Sequence, residues 1–304
     1  MILIVGASGR LGGTVAQCLL AQGKAIRAMT RTPSTLAHLQ QQGAEVVNGD
    51  LRDPASLLRA CQGAEQVLAA AHALVGKGDN NPQTVDEAGN RCLIDAARAA
   101  GVKHFIFVSV QGASANSPLE FFRIKYRTEE YLRASGLNFT ILRCSAFMDL
   151  WAQLIGQPIL EQGKTVIFGR GNNPINFVAV QDVARFVCAA LDDPRLCNQM
   201  AEVGGPENLT MNQVAASFEH ASGRKAKIRY VPLPMMRAMS VLMKPVNPAL
   251  SRQIRAGIYM DTAIQSYDMT ETARVFGVKL TPLAEIAHCA TTNADQPETM
   301  NMLK

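Results

Sequence analysis

The sequence predicts an α/β fold: a doubly wound parallel sheet followed by a smaller C-terminal α/β substrate lobe. Three observations predict it. The apolar run Ile2-Leu3-Ile4-Val5 opens the chain and leads straight into Gly6-Ala7-Ser8-Gly9-Arg10-Leu11-Gly12. Short apolar runs then alternate with helical patterns as far as Ser109, as parallel strands joined by crossover helices do. Beyond residue 143 the alternation breaks, which marks the second lobe.

In order, Val15, Leu19 and Leu20 share one face of a first helix. Ala25 to Met29 is the second strand, and Pro33 to Gln42 a short helix closed by Gly43. Ala44 to Val47 is the third strand. Asp53-Pro54 supplies an N-cap and a proline at the first helical position, opening a helix to about Gln62. Gln66 to Ala71 is the fourth strand. A polar loop from Gly76 to Pro82 precedes a long helix, Thr84 to Ala100, stopped by Gly101. His104-Phe105-Ile106-Phe107-Val108 is a buried fifth strand, Ser117 to Ala134 a helix, and Leu137 to Leu142 a sixth strand. Met148 to Gly163 then reads as helical but interrupted at Pro158. Ile175 to Val180 reads as a strand that returns to the first sheet, with a helix from Gln181. Ala201-Glu202-Val203 is a short strand, Thr210 caps a helix to Ala221, and Pro232 to Tyr259 holds helical pieces broken by prolines. The expected division is 1–143 plus about 176–200 for the nucleotide-binding domain. The second lobe takes about 144–175 plus 201–290, and 291–304 is read as a disordered tail.

The glycine stretch gains meaning from its place between a strand and a helix. A helix N-terminus offers free N–H groups to a phosphate. Gly6 permits the tight turn, Gly9 lets a pyrophosphate approach the backbone, and Gly12 lets the helix pack closely. The alternative is a tight turn of an ordinary α/β protein. NAD-binding chains usually carry an acid about 20 residues further on, for the ribose 2′-hydroxyl. Here that place holds Arg31, and no Asp or Glu stands between Gly12 and Glu45. A guanidinium grips a 2′-phosphate that a carboxylate would repel. Arg10, within the loop, is positioned for the same phosphate, unless either arginine is a solvated surface charge. The predicted cofactor is NADP(H).

Composition bounds the rest. The 304 residues are 48% hydrophobic and carry a formal charge of +5. That mild excess forms no Lys/Arg block and no basic–aromatic interleave, so nucleic acid is not an expected partner. No apolar run approaches the roughly 18 residues of a membrane span, and no signal peptide is read at the N-terminus. Seven cysteines stand singly with no C-x-x-C, as buried thiols of a cytoplasmic protein do, and no metal site can be drawn.

Together these motifs resemble the short-chain dehydrogenase/reductase superfamily in its atypical NmrA-like branch. The resemblance runs from Met1 to about Leu242. It rests on the glycine stretch, Gly49-Asp50-Leu51, Phe105 to Ser109, Ile124 to Leu132, Ser135 to Arg143, and Phe177 to Ala184. Its nearest members are cyanobacterial and plastid proteins linked to photosystem assembly; NADPH quinone reductases and isoflavone-reductase-like enzymes are wider relatives. The resemblance implies a Rossmann sheet in which Asp50 and Leu51 flank the adenine. It implies that Ala70 and Ala71 border the ribose and pyrophosphate, that Lys125 reaches the nicotinamide ribose, and that Cys144 to Phe147 line the nicotinamide pocket. The expected cofactor set is thus Gly6, Ser8, Gly9, Arg10, Leu11, Gly12, Arg31, Asp50, Leu51, Ala70, Ala71, Lys125 and Phe147.

Reductases of this superfamily use a Ser with Y-x-x-x-K. Ser109 and Lys125 fit the outer catalytic roles, but Phe121 stands where the tyrosine would be. Phenylalanine donates no proton, and Tyr126 points about 100° away from Lys125 on a helix. Alcohol–carbonyl chemistry is thereby disfavoured; hydride transfer to a quinone, with a proton from water or Lys125, is not. The expected function is an NADPH-dependent reductase of a small apolar acceptor, with a non-catalytic NADP(H)-binding redox sensor or assembly factor as the rival and a protein as its partner. Glu129 and Glu130 read as solvated partners of Arg127 or Arg133. Met235, Met236, Met239 and Met243 read as core packing rather than a partner surface.

Overall fold

The computed structural model describes residues 1–294. The chain divides into two compact units. The first comprises Met1–Cys144, Val180–Val203 and Thr272–Val278, and the second Ser145–Ala179, Gly204–Glu271 and the segment from Lys279 onward.

The first unit is built on a seven-stranded sheet. Its strands are β1 (Ile2–Val5), β2 (Ile26–Thr30), β3 (Glu45–Asn48), β4 (Gln66–Ala69), β5 (His104–Val110) and β6 (Phe139–Cys144), with Gln199–Val203 as the last. They lie in the order β3, β2, β1, β4, β5, β6, Gln199–Val203, and every neighbouring pair is parallel. Because a parallel strand must be reached by a crossover, each step needs a helix on a sheet face, and both faces become apolar. The burial shows it: Leu3, Ile4, Phe105, Ile106 and Phe107 are wholly inaccessible. Each such side chain contributes about 1.5–3 kcal/mol of hydrophobic stabilisation. The helices follow the expected signals. They are α1 (Arg10–Ala21), α2 (Ala37–Gln41), α3 (Pro54–Cys61), α4 (residues 82–99) and α5 (Glu120–Ala134). Asp53 caps α3 by accepting from the Ala55 N–H at 3.0 Å.

The long helix α4 departs from the expectation. Its first eight residues, Pro82–Gly89, wind as a π-helix before the α-helix Asn90–Ala99. Its start is fixed by Asn81, whose side chain accepts from the Thr84 N–H at 3.1 Å while Thr84 Oγ1 accepts from the Asn81 N–H.

A second departure is topological. Ile175–Val178 was expected in the first sheet, but it lies in a three-stranded sheet of the second unit, between Asn208–Leu209 and Ala146–Phe147. Only two of its residues pair with Ala146–Phe147. The place in the first sheet goes to Gln199–Val203, which pairs with all of Thr140 to Cys144. The run Ile175 to Val180 is apolar except for Asn176, whose buried side chain donates to Gly205 O at 3.1 Å and accepts from the Gly205 N–H at 2.8 Å, within the second unit.

In the second unit Lys164–Phe168 also pairs with Lys227–Val231. Residues 148–162 stay helical through Pro158, because a π-turn at Ala152–Gly156 precedes the proline and loosens the ladder where its N–H is missing. Ile155, Ile159, Phe177, Phe218 and Leu283 form the core there. Helix Met211–Ser222 carries the Thr210 cap, and Leu233–Val246 is followed by Pro248–Thr262. The last helix, Leu283–Ala294, contains Thr291 to Ala294 of the expected tail; residues 295–304 lie outside the described residues. Two cysteines are not solitary: Cys18 on α1 and Cys188 on the helix Val180–Asp192 bring their sulfurs to 3.4 Å. Burial is the main cause that pushes the Cys188 thiol up to about 12.

Candidate cofactor-binding and redox site

In a parallel sheet every strand ends on the same edge, and the predicted residues fall along it in spatial order. Asp50 and Leu51 follow β3, Arg31 follows β2, Gly6 follows β1, Ala70 and Ala71 follow β4, and Ser109 sits near the end of β5. The glycine loop lies where strand order reverses between β1 and β4, the crevice in which doubly wound sheets bind ligands.

The loop has the close backbone contacts that its glycines permit. Gly6 has φ +97°, and a Cβ there would stand 2.7 Å from the Ala71 nitrogen. A Cβ on Gly12 would stand 2.2 Å from the Gly6 carbonyl oxygen, so α1 is seated directly on the turn. The Gly9 N–H donates to Gly6 O at 2.9 Å, and Gly9 has no side chain to cap α1. The first turn of α1 carries no acid, and Ser8, Gly9 and Arg10 are exposed. Uncapped N–H groups, a positive helix end and open access make a fitting seat for a pyrophosphate.

Beside it, Arg31 is exposed while its carbonyl accepts from Asn48 Nδ2 at 2.9 Å. Asp50 is held by Arg52, which donates from Nε at 3.0 Å and from a terminal nitrogen at 2.6 Å. That hydrogen bonding holds the Asp50 carboxyl below its usual range, and the nearby Arg31 charge adds to it. Leu51 is buried in the core, against Gly89 of α4. Ala70 continues the sheet by donating its N–H to Val5 O at 3.0 Å. Phe147 lies on the short strand Ala146–Phe147 of the second unit, half-buried.

The other half of the edge holds a buried polar cluster. Lys125 is 4% exposed. Its ammonium lies 3.1 Å from Asp86 Oδ1, donates to Val108 O at 3.3 Å, and stands 4.9 Å and 5.5 Å from the ring centres of Phe107 and Phe121. Asp86 is fully buried and also accepts from the Ala73 N–H at 2.8 Å. Ring faces attract cations, so the position left by the missing tyrosine still contacts the lysine, without a proton to give.

Ser109 donates its proton to Glu129 Oε1 at 2.5 Å, and Arg143 grips Glu129 from Nε at 3.0 Å and from a terminal nitrogen at 2.6 Å. The reading of Glu129 as a solvated partner is thus corrected. One helical turn beyond Lys125, it shares the inward face of α5 and is fully buried between β5 and β6. Glu130 stays outside with Arg133. Glu129 also raises the Arg143 guanidinium further, chiefly through these hydrogen bonds, and burial pushes Glu202 beside Arg143 up.

Sequence reasoning missed Asp86, Glu129 and His72. The His72 ring meets Phe121 edge to face at 6.3 Å. His72 is exposed at the rim of the cluster, but the protein packed around it and then the Lys125 charge hold it below its ordinary value. Its Nδ1 accepts from the Leu74 N–H at 3.4 Å, which leaves the proton on Nε2. No glycine motif or Y-x-x-x-K spacing points to these three. A carboxylate four residues after a site lysine was the one available signal.

Among the described residues no group of three or more His, Cys, Asp or Glu is arranged to hold a metal ion, and no helix is long and apolar enough to cross a membrane.

Comparison with known proteins gives the family of the chain. The chain is 33% identical to the photosystem II assembly factor Ycf39 of Cyanophora paradoxa, over 77% of this chain and 73% of that one. It is 29% identical to an NAD(P)H azoreductase of Xenophilus azovorans, over 80% of each. Among solved structures it resembles an NADPH-dependent quinone oxidoreductase of Escherichia coli complexed with NADPH. The TM-score is 0.78 and the identity 26%, with 94% of this chain and 98% of that one covered. The NmrA-like family model matches residues 1–285, and the chain belongs to the NmrA-like family.

Proposed function

We propose that this chain binds NADP(H) and passes a hydride from NADPH to a small apolar acceptor such as a quinone, as an atypical short-chain dehydrogenase/reductase. One observation carries the reading: the amide-rich, acid-free opening at Gly6–Gly12 is flanked, at the next strand end, by Arg31 where a carboxylate would select NAD. The first-turn N–H groups of α1 and Ser8 hold the pyrophosphate. Arg31 and Arg10 take the 2′-phosphate. Asp50 and Leu51 border the adenine, Ala70 and Ala71 border the ribose, and Lys125 orients the second ribose. The bound cofactor supplies the hydride.

The acceptor class follows from what the chain lacks. Phe121 gives no proton, the Ser109 proton is engaged by Glu129, and Lys125 is engaged by Asp86. His72, neutral with its proton on Nε2, offers a hydrogen bond rather than an acid. A reduced quinone needs no stronger help, because its oxyanion is phenolate-like, with a conjugate-acid pKa of about 10, and takes a proton from water. An alkoxide is far more basic and would need the absent tyrosine. The similarity to the quinone oxidoreductase and the azoreductase supports this reading. The cysteines, all of them free thiols, support a cytoplasmic setting.

Phe121, together with the likeness to an assembly factor, favours a second reading, in which the chain binds NADP(H) without turnover and acts on a protein partner. Following NADPH absorbance with a panel of quinones separates the two. Turnover that Lys125→Ala abolishes supports the reductase. Tight NADPH binding with no acceptor reduced supports the sensor or assembly factor.

A further inference from the structure

We propose that the helical hairpin formed by Leu233–Val246 and Pro248–Thr262 docks in the surface of an anionic lipid bilayer. The helix Leu233–Val246 buries only Met236 and Ser240. That row faces the following helix, where Ser251 donates to the Ser240 carbonyl at 2.6 Å and Gly257 leaves room for the Met236 methyl. The expectation that the methionines here are core is thereby corrected: Met236 is 2% exposed, but Met235 and Met239 are 48% and 39% exposed.

Met235, Met239, Leu242 and Val246 recur with alternating steps of four and three, which is one face of a helix. Leu242 and Val246 are 65% and 78% exposed, and Val241 beside them is 65% exposed. Such a face left in water marks an interaction surface. Charge selects its occupant. No Asp or Glu stands between Glu219 and Asp261, while the two helices carry Arg237, Lys244, Arg252 and Arg255. Arg237 and Lys244 are exposed and share the helical row of Val241, so their alkyl stems border the apolar face and their charged heads lie at its margin. An apolar stripe with a basic, acid-free border complements acyl chains beneath anionic headgroups. With 14 residues the helix is too short to span a bilayer and would lie in the interface plane.

The test is flotation of the full chain with phosphatidylcholine vesicles, with and without phosphatidylglycerol. Binding is expected only where phosphatidylglycerol is present, and it should weaken as salt is raised. Leu242→Asp with Val246→Asp, and separately Arg237→Glu with Lys244→Glu, should each weaken it by about tenfold or more. These positions are exposed, and circular dichroism checks that each variant folds. No flotation with phosphatidylglycerol overturns the proposal, as does binding that the charge reversals leave intact. A homodimer that Leu242→Asp dissociates would equally overturn it, by making a second copy the occupant. None of these outcomes depends on NADPH binding or turnover.

Discussion

Lys125 and Asp86 form an ion pair of 3.1 Å with both side chains removed from water. A buried charge left without its partner is costly. Asp86→Ala should therefore lower unfolding stability by about 3–5 kcal/mol, and urea denaturation measures it. Lys125→Met together with Asp86→Leu should recover much of that loss, because an apolar pair of similar volume replaces a desolvated one. If the double variant is as unstable as the single one, the pair is not the source of the loss.

The loop glycines differ in kind, and substitutions should separate them. Gly12→Ala sets a methyl 2.2 Å from the Gly6 carbonyl, a backbone atom that cannot step aside without moving the loop. It should weaken NADPH binding by about tenfold or more in calorimetry, a change of at least 1.4 kcal/mol. Gly23→Ala, at φ +72° with nothing within 4 Å, should cost about 1–2 kcal/mol of stability and leave NADPH affinity unchanged.

Arg31→Glu restores a carboxylate at the end of β2. Hydrogen bonds to a charged group contribute about 1.5–3 kcal/mol, so NADPH affinity should fall about ten- to a hundredfold while NADH affinity holds or improves. Equal losses for both coenzymes would remove the 2′-phosphate from Arg31.

Acid should loosen the first unit through His104. Its Nε2 lies 2.9 Å from Thr140 Oγ1, which donates its own proton to Leu196 O at 2.7 Å, so His104 is the donor and the neutral ring suffices. Burial holds His104 below the ordinary 6.5. Between the folded value and 6.5 the unfolded chain therefore binds more protons, and stability rises with pH there. The contribution is complete above 6.5 and is lost as the pH falls through that window. Urea midpoints across the range should show it, and His104→Gln should remove its share; an unchanged slope would assign the effect to other groups.

The first sheet was legible because its signals are local. Glycines stop helices at Gly43, Gly63 and Gly101, Asp53 and Pro54 start one, and each strand is short and apolar. The alignment of the candidate residues along one sheet edge was legible for the same reason, since each follows a readable strand. What escaped depends on distance. Asp86 and Lys125 are 39 positions apart and meet only because α4 and α5 pack together. Glu129 has the surface pattern of its neighbours Arg127 and Arg133 until β6 brings Arg143 to it. The strand Ile175–Val178 is marked for its sheet only by Asn176, and its partner Gly205 stands 29 positions away.

The wide winding of Pro82–Gly89 makes the length of this segment matter as much as its chemistry. Asp86 sits within those turns, where its carbonyl accepts from both Thr128 Oγ1 and Asn90 Nδ2. Removing one residue from the stretch would take out the extra residue that the wide turns hold, close them to ordinary α-helical pitch, and re-aim the side chains within them. The carboxylate would then point away from the ammonium with its side chain intact. A one-codon deletion there should reproduce the instability of Asp86→Ala, although no residue facing the lysine has been altered.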